Sequence, residues 1–346
     1  MGITGLLLAS GLATFFAMGP ESYGVLLRHA GLIAIAVAVL IGVSLIDYRL
    51  FRHSSAPALT LYIVTVVMLG LTLAEQKIRG ASSWLEWWGF RFEPSEFAKL
   101  ALLILLAKYF SQKHVEIYRT KHIIASGVYM AIPTALTLLQ PDLGSVIVYV
   151  VLWLAILLAA GIKRKHMLAI LMLGLVLASL GWFFVLKPYQ KTRIVSFVNP
   201  YLDPHGTGYN AIQSRVTFGS GRWTGTYFSK DRRELPVLVP EPYTDFTFAT
   251  FAQKFGLVGV TILLALFFWF FLRVGGIAAR APNNFAKLFG IGYLTLIGTH
   301  ILINGGMNVG ILPITGIPFP FLSHGGSHLV TIMAGLGLIQ SIRVRN

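Results

Sequence analysis

The chain has 346 residues, 55 % of them hydrophobic and 12 % charged, with a mean hydropathy of +0.72. Soluble domains carry about 25 % charged residues, so a soluble enzyme is excluded, no nucleic-acid partner is expected, and a polytopic membrane protein is. There is no cysteine, which rules out disulfides, thiol catalysis and Cys-ligated metal, and the formal net charge of +15 acquires meaning only once sorted by membrane side.

Crossing a bilayer takes about 20 apolar residues. Ten segments meet that requirement, roughly 2–18, 30–46, 57–74, 95–110, 122–139, 143–160, 166–186, 246–272, 287–305 and 322–342. The first has no basic n-region and no small-residue cleavage site before Pro20, so it reads as a retained helix and not a signal peptide. One set of short loops carries Arg49 and Arg52; Lys108, Lys113, Arg119 and Lys121; Lys163, Arg164 and Lys165; Arg273, Arg280 and Lys287; and Arg343 and Arg345. The opposite set carries only Arg28, Lys77, Arg79 and Arg91. Cytoplasmic loops hold the excess of Lys and Arg, so both termini are expected in the cytoplasm. The fold class expected is therefore an all-α polytopic membrane protein of ten transmembrane helices. A long extracellular loop, 187–245, joins the seventh helix to the eighth, and 1–346 form a single integral membrane domain.

The outer loop 75–94 contains Trp84, Trp87 and Trp88, which read as an interfacial belt. It leads into Glu93-Pro-Ser-Glu96-Phe-Ala-Lys99. Pro94 suits a first helical turn, Ser95 or Glu96 can cap it, and Glu96 and Lys99 share a helix face. Lys99 lies about one turn inside the apolar span, either snorkelling toward headgroups or facing a polar inner cavity. At the hinge Gln140-Pro-Asp142-Leu-Gly144, Asp142 is expected to cap the sixth helix.

The segment 187–245 is too long to be an idle connection. It holds Lys187, Lys191, Arg193, Arg215, Arg222, Lys230, Arg232 and Arg233 against Asp203, Asp231, Glu234, Glu241 and Asp245. That excess of cations suits a phosphate or pyrophosphate ligand, or else anionic lipid headgroups. Residues 209–218 can form a short interfacial helix, and Gly206, Gly208, Gly219, Gly221 and Gly225 mark tight backbone. The segment closes on Pro240-Glu-Pro-Tyr-Thr-Asp245-Phe at the rim of the eighth span. An unpaired carboxylate is costly there, and Asp245 reads as either a working base or the cap of that helix. Gln253 and Lys254 lie deeper in the same span, Lys254 on roughly the opposite sector from Asp245 at about 100° per residue. The Pro- and Gly-rich stretch 310–327 is too apolar for a solvated loop and reads as a re-entrant segment lined by His324 and His328. Those two His are four apart, but no HExxH-type carboxylate accompanies them, so no metal site is assigned.

Several motifs carry a specific resemblance. Gly80-Ala-Ser-Ser-Trp84 with Phe92-Glu-Pro-Ser-Glu-Phe-Ala-Lys-Leu100, then Gln140-Pro-Asp-Leu-Gly144, and then Gly208-Tyr-Asn-Ala-Ile-Gln-Ser214 with Gly219-Ser-Gly221 occur in order. Pro240-Glu-Pro-Tyr-Thr-Asp-Phe and Leu312-Pro-Ile-Thr-Gly-Ile-Pro-Phe-Pro-Phe-Leu-Ser-His-Gly-Gly-Ser327 follow. Together they resemble the SEDS proteins (shape, elongation, division and sporulation), most nearly the elongation branch. The resemblance implies a multi-pass enzyme of the bacterial inner (plasma) membrane. That enzyme would be a peptidoglycan glycosyltransferase polymerising lipid II beside a class B penicillin-binding protein, among membrane lipids. It places the catalytic aspartate on Asp245 and an acid–lysine pair on Glu96 and Lys99. Substrate contacts are expected at Arg91, Glu96, Lys99, Arg193, Gln213, Ser214, Arg215, Arg222, Glu241 and Ser323. A divalent cation, Mg or Mn, bridging Asp245 or Glu241 to pyrophosphate is compatible with these residues, although no dedicated metal motif is present. The chain departs from the family pattern at Ser83, Tyr243 (usually His), Gly225-Thr-Tyr227, Gln253 and Lys254 (usually acids) and His324 (usually Tyr). Two rival readings are a flippase for the lipid-linked precursor and a non-catalytic scaffold of the synthesis complex.

Overall fold

The computed structural model describes residues 2–74, 84–87, 90–113, 120–184, 186, 188–206, 208–229, 236–237 and 239–345. The readings placed on Lys77, Arg79, Gly80, Ser83, Trp88, Arg119, Lys187, Lys230, Asp231, Arg232, Arg233 and Glu234 lie outside the described residues. So do those on the side chains of Trp87, Arg91, Lys113 and Arg193.

The described chain is helical almost throughout. Its first half holds α1 (Gly2–Ala17), α2 (Tyr23–Leu45), α3 (Arg49–His53), α4 (Ala56–Thr72), α5 (Pro94–Lys113), α6 (Thr120–Leu139) and α7 (Leu143–Ala160). The second half holds α8 (Arg164–Phe184), α9 (Pro188–Val198), α10 (Tyr209–Ser220), α11 (Thr247–Ala279), α12 (Asn284–Val309) and α13 (Gly326–Val344). A small antiparallel ribbon, β1 (Leu85–Trp87) against β2 (Phe90–Phe92), pairs Leu85 with Phe92 and Glu86 with Arg91; no strand was expected there. Among the described residues, seven helices are long and apolar enough to cross a membrane: α2, α6, α7, α8, α11, α12 and α13. The helices α1 and α4 are apolar but shorter, and α5 carries Glu96, Lys99, Lys108 and Lys113 along 20 residues. The protein is an all-α polytopic membrane protein. Each of the ten apolar stretches read from the sequence is helical over most of its length.

The boundaries differ where a polar side chain found an internal partner. The helix α2 begins at Tyr23 because Arg28 bonds back to the Gly24 carbonyl and His29 is buried, so neither polar residue ends it. The helix α13 starts at Gly326, later than expected, because residues 319–323 form a turn: the amide N–H groups of Leu322 and Ser323 both donate to the Phe319 carbonyl. Asp142 caps α7 as expected, its carboxylate accepting from Ser145 N at 3.0 Å.

The helix α5 is the centre of the bundle. Ala101, Leu102, Leu103, Leu106, Ala107 and Phe110 are fully buried, and it packs against α4, α7, α12 and α13. Between helices in lipid, close fit and polar bonds supply most of the attraction, because lipid tails are as apolar as leucine. The most extensive pairing, α2 with α13, depends on both. Gly337 lets α13 approach until a Cβ there would lie 2.7 Å from the Leu40 carbonyl. Ser341 then accepts from Tyr48 N at 3.1 Å and donates to Ile46 O at 2.6 Å.

The helix α11 is broken near its first third, where Gly256 adopts φ 67° and ψ −169°. A break in a membrane helix strands backbone groups that must be satisfied by protein. Residues 222–227 do this as a strap. Thr226 N and Tyr227 N donate to Gln253 O and Lys254 O at 2.8 and 3.0 Å, and Leu257 N and Val258 N donate to Arg222 O and Trp223 O at 2.8 and 3.0 Å. Gly225 has φ 81°, and a Cβ on it would overlap the Lys254 carbonyl, so only glycine fits the contact.

Candidate active site

Asp245 is half-buried at the end of a turn in which Thr244 N and Phe246 N both point to Glu241 O. Three successive backbone carbonyls of this turn are held from outside it. Tyr243 O accepts from His324 N at 2.7 Å, and Thr244 O accepts from Ser323 Oγ at 2.6 Å. Asp245 O accepts from Asn304 Nδ2 at 2.9 Å and from Asn308 Nδ2 at 3.1 Å. These two asparagines are one turn apart on α12, so both amides face the same strip of chain. Asn304 also donates to Ile317 O at 2.7 Å, tying in the 310–325 segment. That segment has no regular structure from residue 313 to 319 and is buried at Ile317 and from Phe319 to Ser323, as a re-entrant reading requires.

The cap of α11 is not Asp245. The N-cap position is Phe246, with no side-chain cap of its own, and Asn308 Oδ1 accepts Ala249 N from the first turn at 3.0 Å. Asn308 therefore does the work that a capping aspartate would do. The Asp245 carboxylate faces the re-entrant segment, its Oδ2 3.7 Å from where a Cβ on Gly316 would lie.

A second cluster sits in the bundle core. Glu96 and Lys99, at most 2 % exposed, form an ion pair with Lys99 Nζ 2.6 Å from Glu96 Oε1. His328 Nδ1 donates to Glu96 Oε2 at 2.9 Å, and His300 stacks on His328 with ring centroids 4.5 Å apart. Lys99 therefore does not snorkel, and neither Ser95 nor Glu96 caps α5: Ser95 Oγ donates to Glu93 Oε1 at 2.8 Å. At the rim, burial and then the Glu96 carboxylate push Glu93 above the usual carboxylate range.

Glu96, His300 and His328 bring one ligand atom each to within 4.8 Å of one another, and the Nε2 atoms of both imidazoles are buried without a partner. The donor set is nevertheless poor for a cation, because the Lys99 ammonium already occupies Glu96 and would repel one. Around Asp245 and Glu241, no such converging group exists among the described residues.

The remaining predicted substrate residues divide into two groups. Ser214 and Ser323 are buried with their hydroxyls committed, Ser214 Oγ to Asn308 O at 2.9 Å and Ser323 Oγ to Thr244 O. They hold the Asp245 seat together, each hydroxyl donating to a backbone carbonyl. Gln213 is half-buried, with a buried Oε1 lacking a partner. Arg215 donates from Nη2 to Gly310 O at 3.2 Å while its buried Nε has no acceptor. Arg222 is exposed on the strap and Glu241 is exposed beside the turn, with φ 50° and 56°. Arg222 also lines an otherwise apolar crevice of about 400 Å3 with Phe218, Trp223, Leu257 and Val260. Gln253 and Lys254 are buried behind the strap, Gln253 donating to Pro236 O at 3.2 Å.

A family model described as cell cycle protein, covering FtsW, RodA and SpoVE, matches residues 2–346. The chain belongs to this family. It is 34 % identical over 338 residues to the peptidoglycan glycosyltransferase MrdB of Escherichia coli K12, covering 97 % of this chain and 90 % of that one. It is 31 % identical over 318 residues to stage V sporulation protein E of Bacillus subtilis, covering 91 % and 85 %. A chain from a peptidoglycan synthase complex, solved to describe the coordination of polymerisation and crosslinking, superposes with TM-score 0.84 at 26 % identity, over 99 % of this chain and 97 % of that one. The crystal structure of Thermus thermophilus RodA gives TM-score 0.74 at 25 % identity, over 99 % and 94 %.

Within the FtsW/RodA/SpoVE frame, two departures become one. Tyr243 and His324, which exchange the usual His and Tyr, are hydrogen-bonded neighbours that both pack on Phe15, at 5.7 and 6.4 Å between ring centroids. The exchange keeps one imidazole and one phenol on the same aromatic wall.

Sequence reasoning missed Asn304, Asn308 and His300. Their only sequence signal is polar residues recurring every four positions, 300, 304 and 308, along an otherwise apolar helix.

Proposed function

We propose that Asp245 is the general base with which this chain, a peptidoglycan glycosyltransferase of the FtsW/RodA/SpoVE family, polymerises lipid II. The observation that carries this reading is the clamp on carbonyls 243–245, which fixes the turn through its backbone and leaves the carboxylate half-buried, not enlisted as a cap. A base of this kind takes the proton of the acceptor sugar hydroxyl as its oxygen attacks the donor's anomeric carbon. The bond from that carbon to the pyrophosphate oxygen breaks, and the pyrophosphate leaves with its lipid. Arg215 and Arg222 bring positive charge to the same side of the bundle, where departing negative charge needs it.

The ten apolar helices cross the membrane with both termini in the cytoplasm, following the distribution of Lys and Arg between loops. Asp245 and the segment 187–245 then face outward, where the disaccharide of lipid II is exposed, in the bacterial inner membrane. A class B penicillin-binding protein is the partner, in keeping with the synthase complex to which the fold is similar. A divalent cation at Asp245 would take most of its ligands from pyrophosphate and water, because no second protein ligand converges there among the described residues. No step is routed through it.

The flippase reading needs polar groups lining a path through the midplane. The Glu96–Lys99–His328 cluster is internally compensated and closed to solvent, which favours the transferase. The test is polymerisation of fluorescent lipid II by the purified complex with its penicillin-binding partner. Asp245→Asn is expected to abolish glycan product while lipid II still binds; full product from that variant would overturn the assignment, and lipid translocation without product in the wild type would favour the flippase.

A further inference from the structure

A crevice of about 960 Å3 lies at the other end of α11, between α1, α11 and α13. Its apolar wall includes Leu6, Trp269 and Ile277, and its polar side chains are Thr4, Arg273, Arg280, Arg343 and Gln340 with no carboxylate. Arg273 and Arg280 are seven residues apart and therefore face the same side of α11, about 10 Å from one another along its axis.

The neighbouring arginines at this end are consumed by the protein. Arg345 donates to Ser44 O at 3.0 Å, to Leu45 O at 2.6 Å and to Ser341 Oγ at 2.9 Å, and Arg49 donates to Arg345 O at 2.9 Å. Arg273, Arg280 and Arg343 are exposed and meet no protein acceptor among the described residues. Three guanidinium groups without acceptors among the described residues, set around an apolar slot, match one chemistry. The planar fork takes a phosphate bidentately, and the slot takes acyl chains. The volume is near the upper end of small-molecule sites, roughly 300–1,000 Å3, which is room for a headgroup and the first part of its chains.

We propose that this crevice is a binding site for an anionic phospholipid, its phosphate held by Arg273, Arg280 and Arg343 and its chains lying against Trp269 and Ile277. On the proposed topology the site faces the cytoplasmic leaflet, where anionic lipids attract clustered arginine. It is separate from the Asp245 seat, at the opposite end of the same helix.

Two variants separate its two halves. Arg273→Gln/Arg280→Gln/Arg343→Gln removes the phosphate contacts, and the exposure of all three residues keeps folding unaffected. Gly276→Phe fills the crevice without changing charge, since a Cβ on Gly276 meets nothing within 4 Å. The full chain is exchanged into detergent with equimolar phosphatidylglycerol and phosphatidylcholine, and retained lipid is read by native mass spectrometry. The wild type is expected to retain phosphatidylglycerol selectively. Both variants should lose that selectivity about tenfold, in line with the loss of charge-assisted bonds. Lys163→Gln/Arg164→Gln/Lys165→Gln, which removes the same charge from the exposed start of α8, should keep it. Equal loss in that control would mean only diffuse attraction, and would overturn the proposal. Retention that depends on the arginines but survives Gly276→Phe would mean that a phosphate is read without its chains, and would also overturn it.

Discussion

Asp245 and Glu96 are both carboxylates at the membrane-facing heart of this protein, and the structure treats them in opposite ways. Glu96 has its side chain consumed: one oxygen on Lys99, the other on His328, with the whole group closed to solvent. Asp245 has its backbone consumed, through two asparagine amides on one carbonyl, while its side chain remains half-buried. A charge locked on all sides stabilises and orders a core but has little capacity for transfer. A carboxylate whose position is fixed through the main chain is placed without its side chain having to hold the turn together, which is what a base requires. The difference supports the proposed division, with chemistry at Asp245 and scaffolding at Glu96, although the motifs around both resemble the same family equally well.

The comparison breaks most decisively at Asp245. Asp245→Asn should lower polymerisation by about 10²–10⁴-fold, the usual contribution of a positioned base, with an unchanged melting temperature in detergent. A variant that also melted early would put Asp245 with Glu96 as a structural residue.

Glu96→Gln and Lys99→Met should each behave in the reverse manner. Either leaves a charge buried and uncompensated, at about 3–5 kcal/mol, visible as a large drop in thermal stability. Joining them as Glu96→Gln/Lys99→Met should recover much of that loss, because a neutral pair need not be compensated. If the double variant were as unstable as the singles but fully active, the pair would matter for something other than charge balance.

Asn308→Leu sharpens the distinction further. It deletes bonds to Asp245 O and Ala249 N and should cost about 1–3 kcal/mol through unsatisfied backbone groups. As a positioning change it should lower turnover while lipid II affinity is retained. A fall in affinity with normal turnover would mean that Asn308 serves the ligand and not the base. The smallest effect is expected at Ser323→Ala, about 1 kcal/mol of stability with nearly normal turnover, since its hydroxyl binds the main chain at Thr244. A strong loss of lipid II binding there would restore it as a substrate contact.

Much of this architecture was legible in the residues. The ten apolar stretches, the Asp142 cap, the 209–218 helix and the irregular 313–319 stretch with the buried residues 319–323 after it each follow from a local rule: span length, capping chemistry, or the incompatibility of an apolar Pro/Gly stretch with a solvated loop. The site was legible as a set of motifs but not as an arrangement. Ser214 and Ser323 were named as substrate contacts with the motifs they belong to, and nothing local reveals that each hydroxyl donates to a carbonyl 79–94 positions away. The break at Gly256 was equally hidden, since a lone glycine in an apolar run is compatible with a straight helix. Only the strap 222–227, arriving from a distant part of the chain, makes the break affordable in backbone hydrogen bonds.

What the sequence alone determined was which stretches enter the membrane and which residues carry chemistry, because hydropathy and side-chain type act over a few residues. What only the tertiary structure decided was the state of each polar group. Asn308 and not Asp245 caps α11, Lys99 meets Glu96 and not the headgroups, and Tyr243 and His324 share one wall. In a bundle closed to solvent at its core, a buried donor takes its acceptor from inside the protein, and that pairing is set by which helices lie side by side.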